Sequence, residues 1–242
     1  MATFVLIHGS WHGGWCWHKI TQRLQAKGHT VYAPDMPAHG RNWGVHKNIG
    51  LEDYVQATCA VIDQADEPIV LVAHSRGGIV ASQAAEARHD RVARLVYLAA
   101  FLIPHGERVL EYAQSDNDSL IRGNLDINPE AGFDMLRSNA FREALYHDCS
   151  DDDIALAHLL LTPEPIRPTM TPLNLTQERF GRVPRFYIEL TQDRAVSAPL
   201  QRRMYEAMPC RRVMRIDASH SAYFSRPDEL TAHIESVVQE EV

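Results

Sequence analysis

Residues 68–87 read PIVLVAHSRGGIVASQAAEA. The run from Ile69 to Ala73 is apolar and β-branched with no polar alternation, the pattern of a strand covered on both faces. From Gly77 onward the residues are small helix formers. Ser75 sits at the join, with Ala73 and Gly77 two positions to either side. In a GxSxG turn the small residues let strand and helix approach closely, and the tight turn projects the serine hydroxyl from the carboxyl edge of a sheet. Ala73 stands where that motif has glycine, yet still supplies a small side chain. A serine capping an ordinary helix is the plainer reading; the preceding strand and the following glycines favour a nucleophile.

Outward from this stretch, TFVLIH, HTVYAP, VARLVYLAAF, VPRFYIELT and RRVMRID repeat the same buried-strand pattern. Amphipathic stretches lie between them: Trp15 to Lys27, ended by Gly28, then Leu51 to Ala65, Gly77 to Arg88, Ala198 to Ala207, and Pro227 to Gln239 with its proline in the first turn. Strand and helix alternating at short intervals predict an α/β fold, a doubly wound and mostly parallel sheet with helices on both faces. The rhythm breaks once. Residues 103–182 show no comparable strand, so the expected organisation is a core of 1–102 and 183–242 carrying 103–182 as an inserted helical cap. Within the cap, Ser150 followed by Asp151, Asp152 and Asp153 reads as a helix start, where negative charge complements the backbone dipole, and not as a metal site.

The 242 residues carry 24 Lys and Arg against 31 Asp and Glu, a net charge of −7, with 45% hydrophobic and 23% charged residues. That balance fits one compact domain with an insertion and argues against phosphate backbones or anionic membranes as partners. The four cysteines, Cys16, Cys59, Cys149 and Cys210, form no CxxC pair; free thiols and a cytoplasmic location are expected. MATFVLIHGS has no positive leader, and its apolar run is too short for a signal peptide or a membrane span. His8 and His12 have the i, i+4 spacing of metal ligands on a helix, but the glycines of HGSWHGG oppose a helix there. The same loop matches neither GxxxxGK nor GxGxxG. No metal and no cofactor are expected.

A serine hydroxyl needs a base to take its proton, and the base needs an acid to fix its tautomer. Asp193, in YIELTQDRAV, and His220, in RIDASHSAYF, each follow a strand, where a parallel sheet presents its ligands. The order Ser75, Asp193, His220 is that of α/β-hydrolases. Asp217 is a competing acid, but it shares a turn with His220. A developing oxyanion requires donors, assigned to the backbone N–H groups of Ser10, in the loop after the first strand, and of Arg76, the residue after the nucleophile.

FVLIHGSWHGGWCWHK, AHSRGG, TQERFG before VPRFYIELTQD, and ASHSAYFSRP together resemble the plant methylesterase and hydroxynitrile lyase family of α/β-hydrolases and its bacterial esterase relatives. The resemblance covers most of the core and is weakest in the cap. It implies a catalytic triad of Ser75, His220 and Asp193 with an oxyanion N–H at Ser10, and by itself implies a homodimer as one option. The lyase branch carries threonine where this chain has Gly9 and lysine where it has Ser221, so the resemblance favours hydrolysis. Arg76 departs from the apolar residue common there. Its side chain either binds a polar substrate group or reaches solvent beside the cap. Trp11, Phe101, Tyr112, Phe133, Phe141, Tyr146 and Tyr223 are candidates to line an apolar pocket, whereas Trp15 and Trp17 read as packing. The expected activity is cleavage of a small hydrophobic or aromatic carboxylic ester through an acyl-enzyme, with a small molecule as partner. Carbamate or amide hydrolysis is the alternative, followed by a hydroxynitrile lyase or a non-catalytic ligand receptor.

Overall fold

The computed structural model describes residues 1–44 and 47–240. Its strands are β1 (Thr3–Ile7), β2 (Thr30–Tyr32), β3 (Ile69–His74), β4 (Val92–Leu98), β5 (Leu125–Asn128), β6 (Phe133–Leu136), β7 (Glu164–Pro165), β8 (Arg185–Leu190) and β9 (Arg212–Ile216). Its α-helices are α1 (His18–Ala26), α2 (Leu51–Ile62), α3 (Gly77–Ala87), α4 (Val109–Ser115), α5 (Phe141–Leu145), α6 (Asp151–Leu160), α7 (Arg167–Met170), α8 (Ala198–Ala207), α9 (Ala222–Ser225) and α10 (Pro227–Ser236).

Six strands form one sheet in the order β2-β1-β3-β4-β8-β9, and every neighbouring pair runs parallel. These are the six apolar runs of the sequence. Their lack of polar alternation has a direct cause: Phe4 and Leu6 of β1 pack into one core with α1 and α10, while Val5 and Ile7 pack into a second core with α2, α3 and α8. A strand between the two cores therefore needs apolar residues at successive positions. Helix α1 stops where expected, with Gly28 at φ +84°, a left-handed conformation that glycine adopts without a Cβ clash.

The chain leaves β1 toward β2 on one side and leaves β3 toward β4 on the other, although β1 and β3 are neighbours. That reversal parts the loops at the carboxyl ends of β1 and β3 and opens a crevice between them. HGSWHGG follows β1, and Ser75 follows β3.

The segment between β4 and β8 differs from the expected set of loops and helices. It contains a three-stranded antiparallel sheet, β5-β6-β7, beside its helices. Strand β5 is the four residues LDIN, largely exposed, and β7 is only Glu164 and Pro165. Neither is long or apolar enough to announce itself. The acidic run behaves as expected, with Ser150 Oγ accepting from the Asp153 N–H at 3.2 Å at the start of α6. Among the described residues no helix is long and apolar enough to cross a membrane.

Candidate active site

Ser75 has φ +54°, a backbone conformation unfavourable for a residue with a side chain and held here by its surroundings. Its N–H donates to Leu98 O at 3.2 Å, and its carbonyl accepts from Phe101 N at 2.9 Å. The two glycines that follow allow helix α3 to start so close to the sheet. A Cβ on Gly77 would lie 2.7 Å from His8 O, and one on Gly78 would lie 2.4 Å from Phe101 O. Ala73 is wholly buried in β3 without disturbing this turn.

The loop after β1 passes directly over Ser75. A Cβ on Gly9 would lie 2.7 Å from Ser75 Cβ and 3.0 Å from His74 Nδ1. Among the described residues neither the Ser10 N–H nor the Arg76 N–H is bonded to a backbone carbonyl.

His220 follows β9 and is 3% exposed. Its Nδ1–H donates to Asp193 Oδ2 at 2.6 Å. His220 is seated against the end of β3: its carbonyl accepts from His74 Nε2 at 2.8 Å, and the two imidazole centroids are 4.3 Å apart. Asp193 is held in turn. Its Oδ1 accepts from the N–H groups of Ala195 at 2.7 Å and Val196 at 2.9 Å, and Oδ2 also accepts from Gln201 Nε2 at 3.3 Å. Gln201 is fully buried on α8 and further bonds both backbone groups of Leu190. Asp217 faces away, accepting from Thr191 and Gln192 at the surface.

His12 fastens the loop from beneath. Its Nδ1–H donates to Ser10 O at 2.7 Å, and Nε2 lies 2.5 Å from Tyr146 OH and 3.0 Å from Tyr223 OH. Burial lowers its pKa to about 3, so the ring is neutral and Nε2 accepts from a phenol. Burial likewise holds His8 and His74 well below the usual histidine value. His8 Nε2 accepts from Met36 N at 3.1 Å, a bond that requires the unprotonated nitrogen.

The other side of the loop meets the inserted segment. Trp11, at φ +63°, donates its N–H to Glu164 Oε2 at 2.9 Å, donates its indole N–H to Asp134 Oδ1 at 2.9 Å, and accepts from Thr162 N at 2.9 Å. Glu164, 1% exposed, also accepts from His39 Nε2 at 3.1 Å and from Tyr54 OH at 2.8 Å, and it pairs with the Arg76 guanidinium. Burial lowers His39 to about 4 and raises Asp134. Arg76 completes its contacts at Thr169 Oγ1, 2.8 Å, and Pro165 O, 3.4 Å. The side chain is buried, not solvated, and its Nη1 and Nη2 meet the inserted segment. A cavity of about 10 Å³ lies here, lined among others by Gly9, Met36, Tyr54, Arg76, Val80 and Glu164. An open groove of about 970 Å³ beside Trp15, Trp43 and Leu159 is lined by none of Ser75, Asp193 and His220.

The aromatic candidates separate. Trp11 is at the loop, and Phe101 is buried next to the elbow with its N–H on Ser75 O. Tyr146 and Tyr223 are fully buried and bound to His12, which makes them supports of the loop and not a pocket wall. Phe141 is buried against His158 at 4.9 Å. Tyr112 lies under Arg203 with its hydroxyl on Glu107, and Phe133 pairs with Pro165 across β6 and β7. Burial pushes the Cys149 thiol up to about 12, in line with inert packing. Sequence reasoning missed Glu164, Gln201, and the role of His12.

Comparison with known proteins agrees with this architecture. The profile of the alpha/beta hydrolase family matches residues 4–233. Methylesterase 7 of Arabidopsis thaliana is 33% identical over 95% of this chain and 93% of its own length. Among solved structures, polyneuridine aldehyde esterase superposes with a TM-score of 0.87 at 25% identity, covering 99% of this chain and 100% of that one. A pyrethroid hydrolase from Sphingobium faniae JZ-2 gives 0.88 at 26% identity, covering 97% and 96%. The chain belongs to the alpha/beta hydrolase family. With methylesterases and an esterase among its relatives, it falls in the class of carboxylic ester hydrolases.

Proposed function

We propose that the protein is a serine esterase acting on a small hydrophobic or aromatic carboxylic ester through an acyl-enzyme. The observation that carries this reading is the 2.6 Å bond from His220 Nδ1 to Asp193, with His220 seated on the strand whose end bears Ser75. In this reading Ser75 Oγ attacks the ester carbonyl while His220 Nε2 takes its proton. The imidazolium so formed is stabilised by Asp193 and then protonates the departing alkoxide. The N–H groups of Ser10 and Arg76 hold the oxyanion. Water, deprotonated by the same histidine, releases the acid. Gly9 and Ser221, where the lyase branch carries threonine and lysine, favour hydrolysis over cyanohydrin cleavage, since neither supplies a positive charge for a departing cyanide.

The test is pre-steady-state release of p-nitrophenol from p-nitrophenyl butyrate by the intact protein and by folded Ser75→Ala. Turnover that falls by about 10⁴-fold in the variant supports the reading, and methyl esters, aryl esters and aryl carbamates then identify the preferred bond. Equal rates in the two proteins would remove its basis.

A further inference from the structure

The Ser10–Trp11 peptide unit is held at both ends. Its carbonyl accepts from His12 Nδ1 at 2.7 Å, and its N–H donates to Glu164 Oε2 at 2.9 Å. The orientation of this plane fixes ψ of Ser10, and with it the direction of the Ser10 N–H relative to the loop that follows. Trp11 stays at φ +63° only because its neighbours over-determine it, and the inserted segment supplies three of those ties, from Thr162, Glu164 and Asp134. The other oxygen of Glu164 accepts from Tyr54, and the carboxylate pairs with Arg76, whose backbone N–H is the second proposed oxyanion donor. A single buried carboxylate thus grips the residue after Ser10 and the residue after Ser75.

We propose that Glu164 is a positioning residue for the oxyanion hole, a carboxylate from the inserted segment that sets both backbone donors against the nucleophile. This rests on the serine esterase reading. Glu164 touches no reacting atom. It acts by fixing peptide planes, so its loss weakens stabilisation of the tetrahedral oxyanion more than binding of the planar ester. The elbow is complete within the sheet, whereas the oxyanion hole is complete only with the inserted segment in place.

The experiment compares two double variants from which the buried ion pair is gone, Arg76→Met with Glu164→Gln and Arg76→Met with Glu164→Met. Neither leaves an uncompensated buried charge, but only the glutamine keeps an acceptor for the Trp11 N–H. With p-nitrophenyl butyrate, the methionine pair is expected to show kcat lower than the glutamine pair by about 30-fold, with KM within about 3-fold. Inhibition by a trifluoromethyl ketone, which forms a tetrahedral adduct, should weaken in proportion to kcat, whereas inhibition by butyrate should not change. Urea midpoints report folding separately. If the methionine pair does not fold, Glu164→Asp provides the test. It keeps both charges but shortens the reach to Trp11 by one methylene, and the same loss of kcat at unchanged KM is expected. Equal kcat and equal ketone inhibition in the compared proteins overturn the positioning role while Ser75-dependent turnover persists. Absence of any difference between the intact protein and Ser75→Ala overturns the esterase reading and this proposal with it.

Discussion

Arg76 and Glu164 illustrate how much a single residue's effect depends on what it leaves behind. Each is almost fully buried, and each is the other's principal counter-charge. Replacing Arg76 alone with methionine would strand the Glu164 carboxylate in a dry interior with only Trp11, His39 and Tyr54 as donors. Removing one partner of such a pair costs about 3–5 kcal/mol, whereas removing both is far milder. Urea unfolding of Arg76→Met should therefore show a loss in that range, with much of it recovered on adding Glu164→Gln; a double variant less stable than the single would contradict the account. Gly9 makes a steric counterpart. Gly9→Ala places a methyl 2.7 Å from Ser75 Cβ, with no flexible atom able to yield, so the elbow or the loop must shift. A loss of about 1–3 kcal/mol in urea unfolding is expected from such overpacking, together with slower ester turnover, and a variant as stable and active as the intact protein would show that the loop moves freely.

Strands buried on both faces advertise themselves, and strands lying on a surface do not. The inner strands β1, β3, β4 and β8 were legible because they alternate between two cores and so read as apolar runs, and the edge strands β2 and β9 by their β-branched residues, although they are only partly buried. The inserted sheet was not, since in β5 only Leu125 approaches burial and β7 has two residues, one of them proline. The candidate site divides the same way. Ser75, Asp193 and His220 were legible because each stands at the end of a core strand in a recognisable order. Glu164 was not, because its partner Trp11 lies 153 positions away and nothing local marks a buried carboxylate. Gln201 was hidden by the same logic, as one polar residue on the buried face of α8 whose partners lie on the Asp193 loop. Helix α6 is the local case that sequence does reveal. Ser150 caps it, and Asp153 in its first turn also pairs with Lys19 of α1 at 2.7 Å. Ser150→Ala should lower stability by about 1 kcal/mol, read as a shift in the urea midpoint without a change in slope. No shift would mean that the first turn is held by the Lys19 pair alone.

At the scale of the whole molecule, the support of the candidate site is a concentration of neutral imidazole. His8, His12 and His74 are buried at the carboxyl ends of β1 and β3, and burial lowers all three pKa values, His12 to about 3. In the unfolded chain each would titrate near 6.5. Above that pH both states bind no proton at these sites, and their contribution to stability is fully present. As the pH falls below 6.5 the unfolded chain takes up protons that the folded protein refuses, so stability declines, each group contributing up to about 1.4 kcal/mol per pH unit. The decline continues until the folded values are reached, for His12 near pH 3. Buried or paired carboxylates such as Asp148 and Glu189, which are lowered in the folded state, add their own loss only nearer pH 4, while Asp134, raised by burial, acts in the opposite sense, so comparison with a histidine variant is what identifies the imidazole share. Urea unfolding between about pH 6.5 and 5 should show stability falling steeply with acid, and His12→Gln should be less stable at pH 7.5, where it loses the Ser10 and Tyr146 bonds, yet lose less on going to pH 5. A slope identical in the two proteins would show that His12 takes up its proton without unfolding, against the burial and the neighbouring histidines that lower its pKa; no carboxylate is among its hydrogen-bond partners. The imidazoles buried around the loop after β1 are therefore among the groups that tie the fold to neutral pH.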